Sequence, residues 1–172
     1  MDAVVLDTKL DVPYVSFLEA YSGGVKFERI DSAVSEMLKS DTEATIDTEA
    51  IENLFKSSLG KDDVKIKVEN LKSTDVSAMI ELSEQARRMQ EMSAMYGMDN
   101  RTFPSDETLV LNANNNVVKL LLDIKDSKKD ESELLCKQIY DLAVMSHKPL
   151  SQEAMTEFIT RSNKIMELLA EK

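Results

Sequence analysis

The sequence is poor in the residue types on which disulfides, metal sites and histidine-based catalysis depend. Its 172 residues include one cysteine, one histidine and no tryptophan. A single cysteine cannot form an intramolecular disulfide, and its place in a helical pattern predicts a buried thiol in a reducing compartment. Cysteine and histidine nowhere have the spacing of a metal site. We therefore expect neither a disulfide framework nor a metal centre.

Glycine and proline are also scarce, with 4 and 3 residues, whereas leucine, methionine, glutamate, lysine and alanine abound. This composition favours helix. No apolar run approaches the ~18 residues that would span a bilayer. The first ten residues lack the basic and hydrophobic regions of a secretion signal. We therefore expect a cytoplasmic protein without a membrane span.

Basic residues are outnumbered by acidic ones, 21 to 32, which gives a formal charge of −11. Without a basic stripe the chain cannot displace the counterions of phosphates, which argues against nucleic acid as a partner. Repulsion argues equally against an anionic membrane surface. The remaining composition, 42% hydrophobic and 31% charged, is that of an ordinary globular domain.

The side chains available for catalysis form no recognisable constellation. His147 lies in a loop beside Lys148-Pro149, where a surface role is the natural interpretation, and Cys136 has apolar helical neighbours. The glycine pair 23–24 predicts a turn and not a phosphate-binding loop, because no Lys-Ser/Thr pair follows it. We therefore predict that the chain is not an enzyme.

Periodicity over residues 1–31 predicts a small strand–helix–strand unit. Apolar runs at 4–6 and 25–30 are of strand type, and the helix between them begins at Asp11 and ends at the glycine pair. The inner face of this helix is expected to contain Phe17, Leu18 and Tyr21.

The middle of the chain mixes helices and strands. Clean alternation over 64–69 predicts a strand with one exposed face, and 108–111 predicts another, whereas 71–82 fits either helix or strand. Helices are expected on each side of 40–42 within 32–58, over 83–96 ending at Gly97, from an Asn112 cap to about 124, and from Asp130, which has capping-box spacing to Glu133.

The chain is organised around residues 130–169, which read as two amphipathic helices broken at His147-Lys148-Pro149. The first helix is apolar on two sides and must be covered on both. One cover is the body of the domain; the other is the next helix alone or a second copy of the chain. We favour a second cover made of the next helix together with a second copy of the chain, so that the helix pair buries its outer face in a symmetric dimer. The stripes are Leu134, Leu135, Ile139, Leu142 and Met145; Cys136, Tyr140 and Val144; and, on the second helix, Met155, Phe158, Ile159, Ile165, Met166 and Leu169.

Methionine is unusually frequent, and five of the ten residues fall within 79–98. Met92 and Met95 lie to the side of the stripe that would anchor this helix. Exposed thioethers on flexible side chains suit a surface that binds many apolar sequences loosely. The alternative is that these methionines fill gaps in the core, and composition alone favours that alternative.

Three successive pieces of the chain resemble the C-terminal domain of bacterial members of the 90-kilodalton heat-shock protein (heat shock protein 90) chaperone family. They read VKIKVENL (64–71), EQARRMQEM (84–92) and TLVLNANN (108–115). The opening, VVLDTKLD (4–11) through Phe27-Glu28-Arg29, is similar to the last α/β unit of the family's middle domain. The resemblance therefore covers nearly the whole chain and preserves the order of its parts.

The resemblance implies a constitutive dimerisation domain whose last two helices form a four-helix bundle across a two-fold axis. It also implies binding of unfolded or partly folded clients by an amphipathic helix, and an ATP site in an N-terminal domain absent from this chain. No cofactor is then expected here. The acidic-plus-Trp pair of some bacterial members is replaced by Val12-Pro13, and the end of the chain lacks the acidic tail that recruits co-chaperones. The implied client-binding residues are Met89, Met92, Met95 and Tyr96; the implied dimer contacts are Leu135, Ile139, Leu142, Met155, Phe158, Ile159, Ile165 and Leu169.

We therefore expect a mixed α+β chain with three parts: an α/β unit (1–40), a helical linker (41–60) and a dimerisation domain (61–172) with a short sheet and a terminal helix pair. Its expected function is to dimerise an ATP-dependent chaperone of the stress response and to offer a client surface. The alternative is a helical scaffold or regulatory dimerisation domain without clients.

Overall fold

The computed structural model describes residues 11–25, 27, 40, 46–60, 64–83, 86, 88, 89 and 107–171. These residues form a mixed α+β fold, as predicted, with a three-stranded sheet and five helices of defined length. In chain order the elements are α1 (Asp11–Ser22), α2 (Thr48–Leu59), β1 (Lys65–Glu69), β2 (Ala78–Leu82), β3 (Glu107–Asn112), α3 (Asn116–Ile124), α4 (Lys129–Met145) and α5 (Gln152–Ala170).

The chain divides into two compact units. One contains residues 1–36 and 82–106, and the other contains residues 37–81 and 107–172. The expected boundaries at 40 and 60 stay a prediction. Four predicted features lie wholly or largely outside the described residues: the strand at 4–6, the strand at 25–30, the first helix within 32–58, and most of the helix over 83–96 with Gly97. Of the second strand, Val25 and Phe27 are described and adopt irregular backbone.

Helix α1 ends where predicted but turns a different face inward. Gly23 has φ +58°, a left-handed conformation that suits glycine, and its N–H donates to the carbonyl of Glu19 at 3.2 Å. Val15 is the buried residue, whereas Phe17 and Tyr21 are exposed and stack with ring centroids 5.8 Å apart. The predicted inner position of these two aromatics is therefore wrong. The inward side is instead the one that carries Val15 and the ion-paired Glu19.

The sheet confirms the strands predicted over 64–69 and 108–111. Its order is β1-β3-β2, and β1 runs parallel to the central strand β3 with Ile66 opposite Leu109. In β1 the lysines are exposed and Ile66 and Val68 are half-buried, as the alternation predicted. Strand β2 resolves the ambiguity of residues 71–82 in favour of a strand over their last part.

The asparagine-rich run 112–116 joins β3 to α3. The predicted cap at Asn112 is wrong by three residues: Asn115 caps α3, and its Oδ1 accepts from the N–H groups of Val117 and Val118 at 2.9 and 3.2 Å. Asn112 is the last residue of β3, is fully buried, and bonds instead to Leu71, Ser73 and Val76 in the loop between β1 and β2. A side chain already bonded to that loop is unavailable to cap a helix.

The core of the larger unit is formed where α2, α3, α4 and the sheet meet. Its buried members include Ile51 and Phe55 of α2 and Leu109 and Leu111 of β3. The other members are Ala78, Val118, Leu121, Cys136, Ile139 and Ala143.

Helix α4 begins at Lys129, so the predicted capping box at Asp130 is wrong. Asp130 lies inside the first turn, and the cap position is occupied by Lys128, which makes no side-chain cap bond. The amine of Lys128 instead pairs with Glu131 at 2.9 Å. A carboxylate in the first turn still interacts favourably with the helix dipole, which explains why the acidic residues cluster there.

Candidate interaction surfaces

Helix α5 is separated from α4 at the predicted break. Ser151 caps it, with Oγ accepting from the N–H of Ala154 at 3.2 Å. At 100° per residue its side chains form two rows. The inner row consists of Phe158, Arg161, Ile165 and Leu168, which are buried or half-buried. The outer row consists of Met155, Ile159, Ser162, Met166 and Leu169.

The outer row of α5 leaves large apolar side chains in solvent. Ile159, Met166 and Leu169 are 52%, 57% and 66% exposed. The charged residues of α5 avoid this side, because they fall within an arc of roughly 120° on the other side of the helix. These residues are Glu153, Glu157, Arg161, Lys164 and Glu167. An exposed, apolar and charge-free helix face of this length is typical of an interaction surface.

Helix α4 is apolar on two sides, as the sequence predicted. One side, with Cys136, Ile139 and Ala143, is buried in the core of the same chain. The other is the outer row of α4, which consists of Leu135, Gln138, Leu142 and Met145. Leu142 and Met145 are exposed. Ile139 was expected in the second group, but it is 4% exposed and leaves almost no surface for a partner.

A hydrogen-bonded cluster, here called the polar joint, connects α4 to α5. Arg161 is the buried residue of α5; its guanidinium pairs with the carboxylate of Asp141 and its Nε donates to Gln138 Oε1 at 3.0 Å. The amide of Gln138 in turn donates from Nε2 to Ser162 Oγ at 3.0 Å. The Ser162 hydroxyl donates to the carbonyl of Phe158 at 2.8 Å. Polar contacts thus help to hold the helix pair together, while Ile159, Met166 and Leu169 of the outer row of α5 stay exposed.

The methionine-rich segment is described only at its beginning. Ala86, Arg88 and Met89 are helical, and Met89 is 41% exposed. Met92, Met95 and Tyr96 lie outside the described residues. Arg88 is bound to α1: its guanidinium pairs with the carboxylate of Glu19 and donates from Nη2 to the carbonyl of Phe27 at 2.9 Å. These bonds of Arg88 tie the backbone next to Met89 to α1 and to Phe27.

The surroundings of Cys136 and His147, the two residues considered for catalysis, do not suggest a catalytic role. Cys136 is buried, as predicted, and its burial raises the pKa of the thiol to about 12, although a hydrogen bond with Ser58 works in the opposite direction. His147 is exposed in the turn after α4, and its backbone N–H donates to the carbonyl of Val144 at 2.9 Å.

Within the described ranges, no three His, Cys, Asp or Glu side chains are grouped so that they could hold a metal ion. None of the helices described here has both the length and the apolarity needed to cross a membrane.

Two features were missed by reasoning from the sequence. The polar joint could have been suspected from Arg161, which interrupts the apolar period between Phe158 and Ile165. The exposed aromatic row of α1 gave no such signal. It consists of Tyr14, Phe17 and Tyr21, whose helical spacing looks the same whether the row is buried or exposed.

The fold and these surfaces define a mixed α+β region that carries an exposed apolar face on its last helices. Comparison with known proteins relates it to a chaperone. The chain is 27% identical, over 96% of its length, to 35% of the chaperone protein HtpG of Bacteroides thetaiotaomicron. It is 32% identical, over 70% of its length, to 19% of the HtpG of Bacteroides fragilis. No protein-family model matches the chain.

These similarities support an HtpG-related, heat-shock-protein-90 region in this chain. The chain spans about a third or less of the length of these curated relatives. The first alignment is 242 residues long, more than the 172 residues of this chain, so the relative has additional residues within the matched region.

Proposed function

We propose that this chain serves as the self-associating region of an HtpG-type chaperone. The outer rows of α4 and α5 form the contact between two copies, and the methionine-rich segment after Arg88 offers a surface to unfolded or partly folded clients in the cytoplasm. The observation that carries the proposal is the exposed apolar face of α5, with Ile159, Met166 and Leu169 in solvent.

Charge favours a second copy as the occupant of this face. Two copies of a chain with a net charge of −11 repel each other, and an uncharged contact surface adds no close charge–charge repulsion to this. The outer row of α5 is such a surface, because all charged residues of the helix lie on its other side. A strongly basic partner would gain nothing from a charge-free face.

Two rows per copy suit a symmetric arrangement. Each copy contributes an apolar row from α4 and one from α5, and a two-fold axis brings the same patch of both copies together. Four helices then enclose one apolar core, as in other helix bundles. In the complete chaperone, this contact would hold two protomers together and raise the effective concentration at which their ATP-binding domains meet. ATP hydrolysis itself is not expected from this segment.

Sedimentation velocity over a range of concentrations tests self-association. The wild-type chain is expected to sediment as a dimer, and the double variant Ile159→Ser, Met166→Ser as a monomer with unchanged circular dichroism. Leu120→Ser is the matched control, because Leu120 is an exposed leucine of α3 with a similar accessible fraction of 47%. A wild-type chain that sediments as a monomer at high micromolar concentration would refute the proposal.

A hydrophobic dye separates the client surface from a plain scaffold. Dye binding is expected to fall in the double variant Met89→Ser, Met92→Ser, while the dimer persists. Leu120→Ser, which replaces an exposed apolar residue outside both proposed surfaces, serves as the control. Unchanged dye binding in the first variant would favour a scaffold or regulatory dimerisation domain without clients.

A further inference from the structure

The polar joint interrupts both outer rows at the same level. In α5 the row has two apolar residues on each side of Ser162, and in α4 Gln138 follows Leu135 and precedes Leu142. Gln138 and Ser162 bond to each other at 3.0 Å, so the two interruptions form one layer across the helix pair. The other residues named in the outer rows are Leu, Ile or Met, and Glu131 continues the α4 row one turn towards the start of the helix.

We propose that the Gln138–Ser162 layer fixes the register in which two copies associate, with the two-fold axis at the level of this layer. The inference rests on the self-association proposed above and names the residues that give it specificity. Apolar rows alone specify register weakly, since leucine, isoleucine and methionine can replace one another at little cost. A polar layer within an apolar helix contact specifies register strongly.

The symmetry of the α5 row supports this level for the axis. An antiparallel pair centred on Ser162 places Ile159 near Met166 of the second copy and Met155 near its Leu169. Polar layer then meets polar layer. A slip of one step of the row, about 5 Å, would press Gln138 and Ser162 against apolar side chains.

The hydrogen bonds within one chain make the layer tolerable in an interface. Gln138 Oε1 accepts from Arg161, its Nε2 donates to Ser162, and the Ser162 hydroxyl donates to Phe158. An amide has a further N–H and a further lone pair, which the opposite layer can satisfy in the centred register. In a slipped register these groups would be buried without partners.

Pulsed electron spin resonance measures the register. A spin label is attached to Glu153→Cys, near the exposed start of α5, in a Cys136→Ala background. A slip along α5 changes the distance between the two labels by several ångströms, because the label lies far from the proposed axis. Gln138→Leu removes the layer, and Ser162→Ala is the second variant, should the first fail to fold by circular dichroism. Thr160→Leu, on the charged side of α5, is the control.

The proposal expects one narrow label distance in the parent and in Thr160→Leu, and a broad or double distribution in Gln138→Leu or Ser162→Ala. A single unchanged distance in both layer variants overturns the register role and leaves self-association intact. No intermolecular distance in the parent overturns self-association, and the register role with it.

Discussion

Arg161 of α5 forms an ion pair with Asp141 of α4, and its guanidinium lies 5.9 Å from the centre of the Phe158 ring. Both side chains of the pair are largely buried. A charged residue thus helps to fasten this 19-residue helix to the rest of the chain, while Ile159, Met166 and Leu169 remain exposed. The two sides of α5 therefore differ: the side that carries Arg161 attaches the helix within one copy, and the apolar outer row stays exposed.

Removing the carboxylate of this pair should therefore loosen α5. Asp141→Ala leaves the buried guanidinium of Arg161 without its counter-charge, and the expected loss in free energy of unfolding is about 3 kcal/mol. Glu167→Ala is the control, because its ion pair with Lys164 is exposed and the expected loss is about 0.5 kcal/mol or less. Urea unfolding at one fixed protein concentration measures both. Equal effects of the two substitutions would contradict the anchoring role of Arg161.

The buried thiol predicts a specific pH dependence of stability. Burial raises the pKa of Cys136 to about 12 in the folded chain, from 9.0 for an ordinary thiol. Between these values the unfolded chain loses the proton and the folded chain keeps it, so rising pH favours unfolding. Relative to Cys136→Ala, the wild type should lose about 1.4 kcal/mol of stability per pH unit above pH 9. Urea unfolding of both proteins at about pH 8 and pH 10.5 tests this. If the stability of the two proteins changed with pH in parallel, the thiol would ionise as readily in the folded chain as in the unfolded chain, which would contradict the raised pKa.

The elements that the sequence predicted well are those set by local patterns. Alternation over 64–69 predicts β1 because each lysine must reach solvent while its neighbours pack inward. The break at 147–149 and the end of α1 at Gly23 follow from proline and glycine, whose backbone preferences act without distant partners.

The features that the sequence predicted wrongly depend on distant partners. Phe17 and Tyr21 have the spacing of an inner face, but both are exposed. The opposite side of the helix is turned inward, where Glu19 forms an ion pair with Arg88, 69 residues away in the sequence. Ile139 lies between the two stripes of α4, and the choice between them depends on the packing of α2 and β3. Local periodicity contains no information on either contact.

The orientation of α1 can be tested through its amide protons. Val15→Ala removes a buried side chain and should lower the free energy of opening at the α1 amides by about 2 kcal/mol. Tyr21→Ala removes a larger but exposed side chain and should change it by about 0.5 kcal/mol or less. Native-state hydrogen exchange measures both values. A larger loss from Tyr21→Ala than from Val15→Ala would restore the inner face expected from the sequence.

The Asn112 side chain makes four hydrogen bonds, three of them with the loop before β2 and one with the turn after β3. Its Oδ1 accepts from the N–H groups of Leu71 and Asn114 at 3.1 and 3.0 Å, and its Nδ2 donates to the carbonyls of Ser73 and Val76, both at 2.7 Å. Together these bonds use both N–H groups and both lone pairs of the amide.

Asn112→Ala should therefore destabilise the chain by about 3 kcal/mol, because it leaves buried backbone groups without partners. Asn112→Asp should rescue little of this loss, since a carboxylate cannot donate to the carbonyls of Ser73 and Val76. Asn116→Ala, at the exposed first position of α3, is the control, with an expected change of about 0.5 kcal/mol or less. Thermal unfolding ranks the three variants, and faster exchange of the Leu71 amide in Asn112→Ala locates the damage. If Asn112→Asp matched the wild type, the two donated bonds would contribute nothing, and the loop would have to be held by the accepted bonds alone.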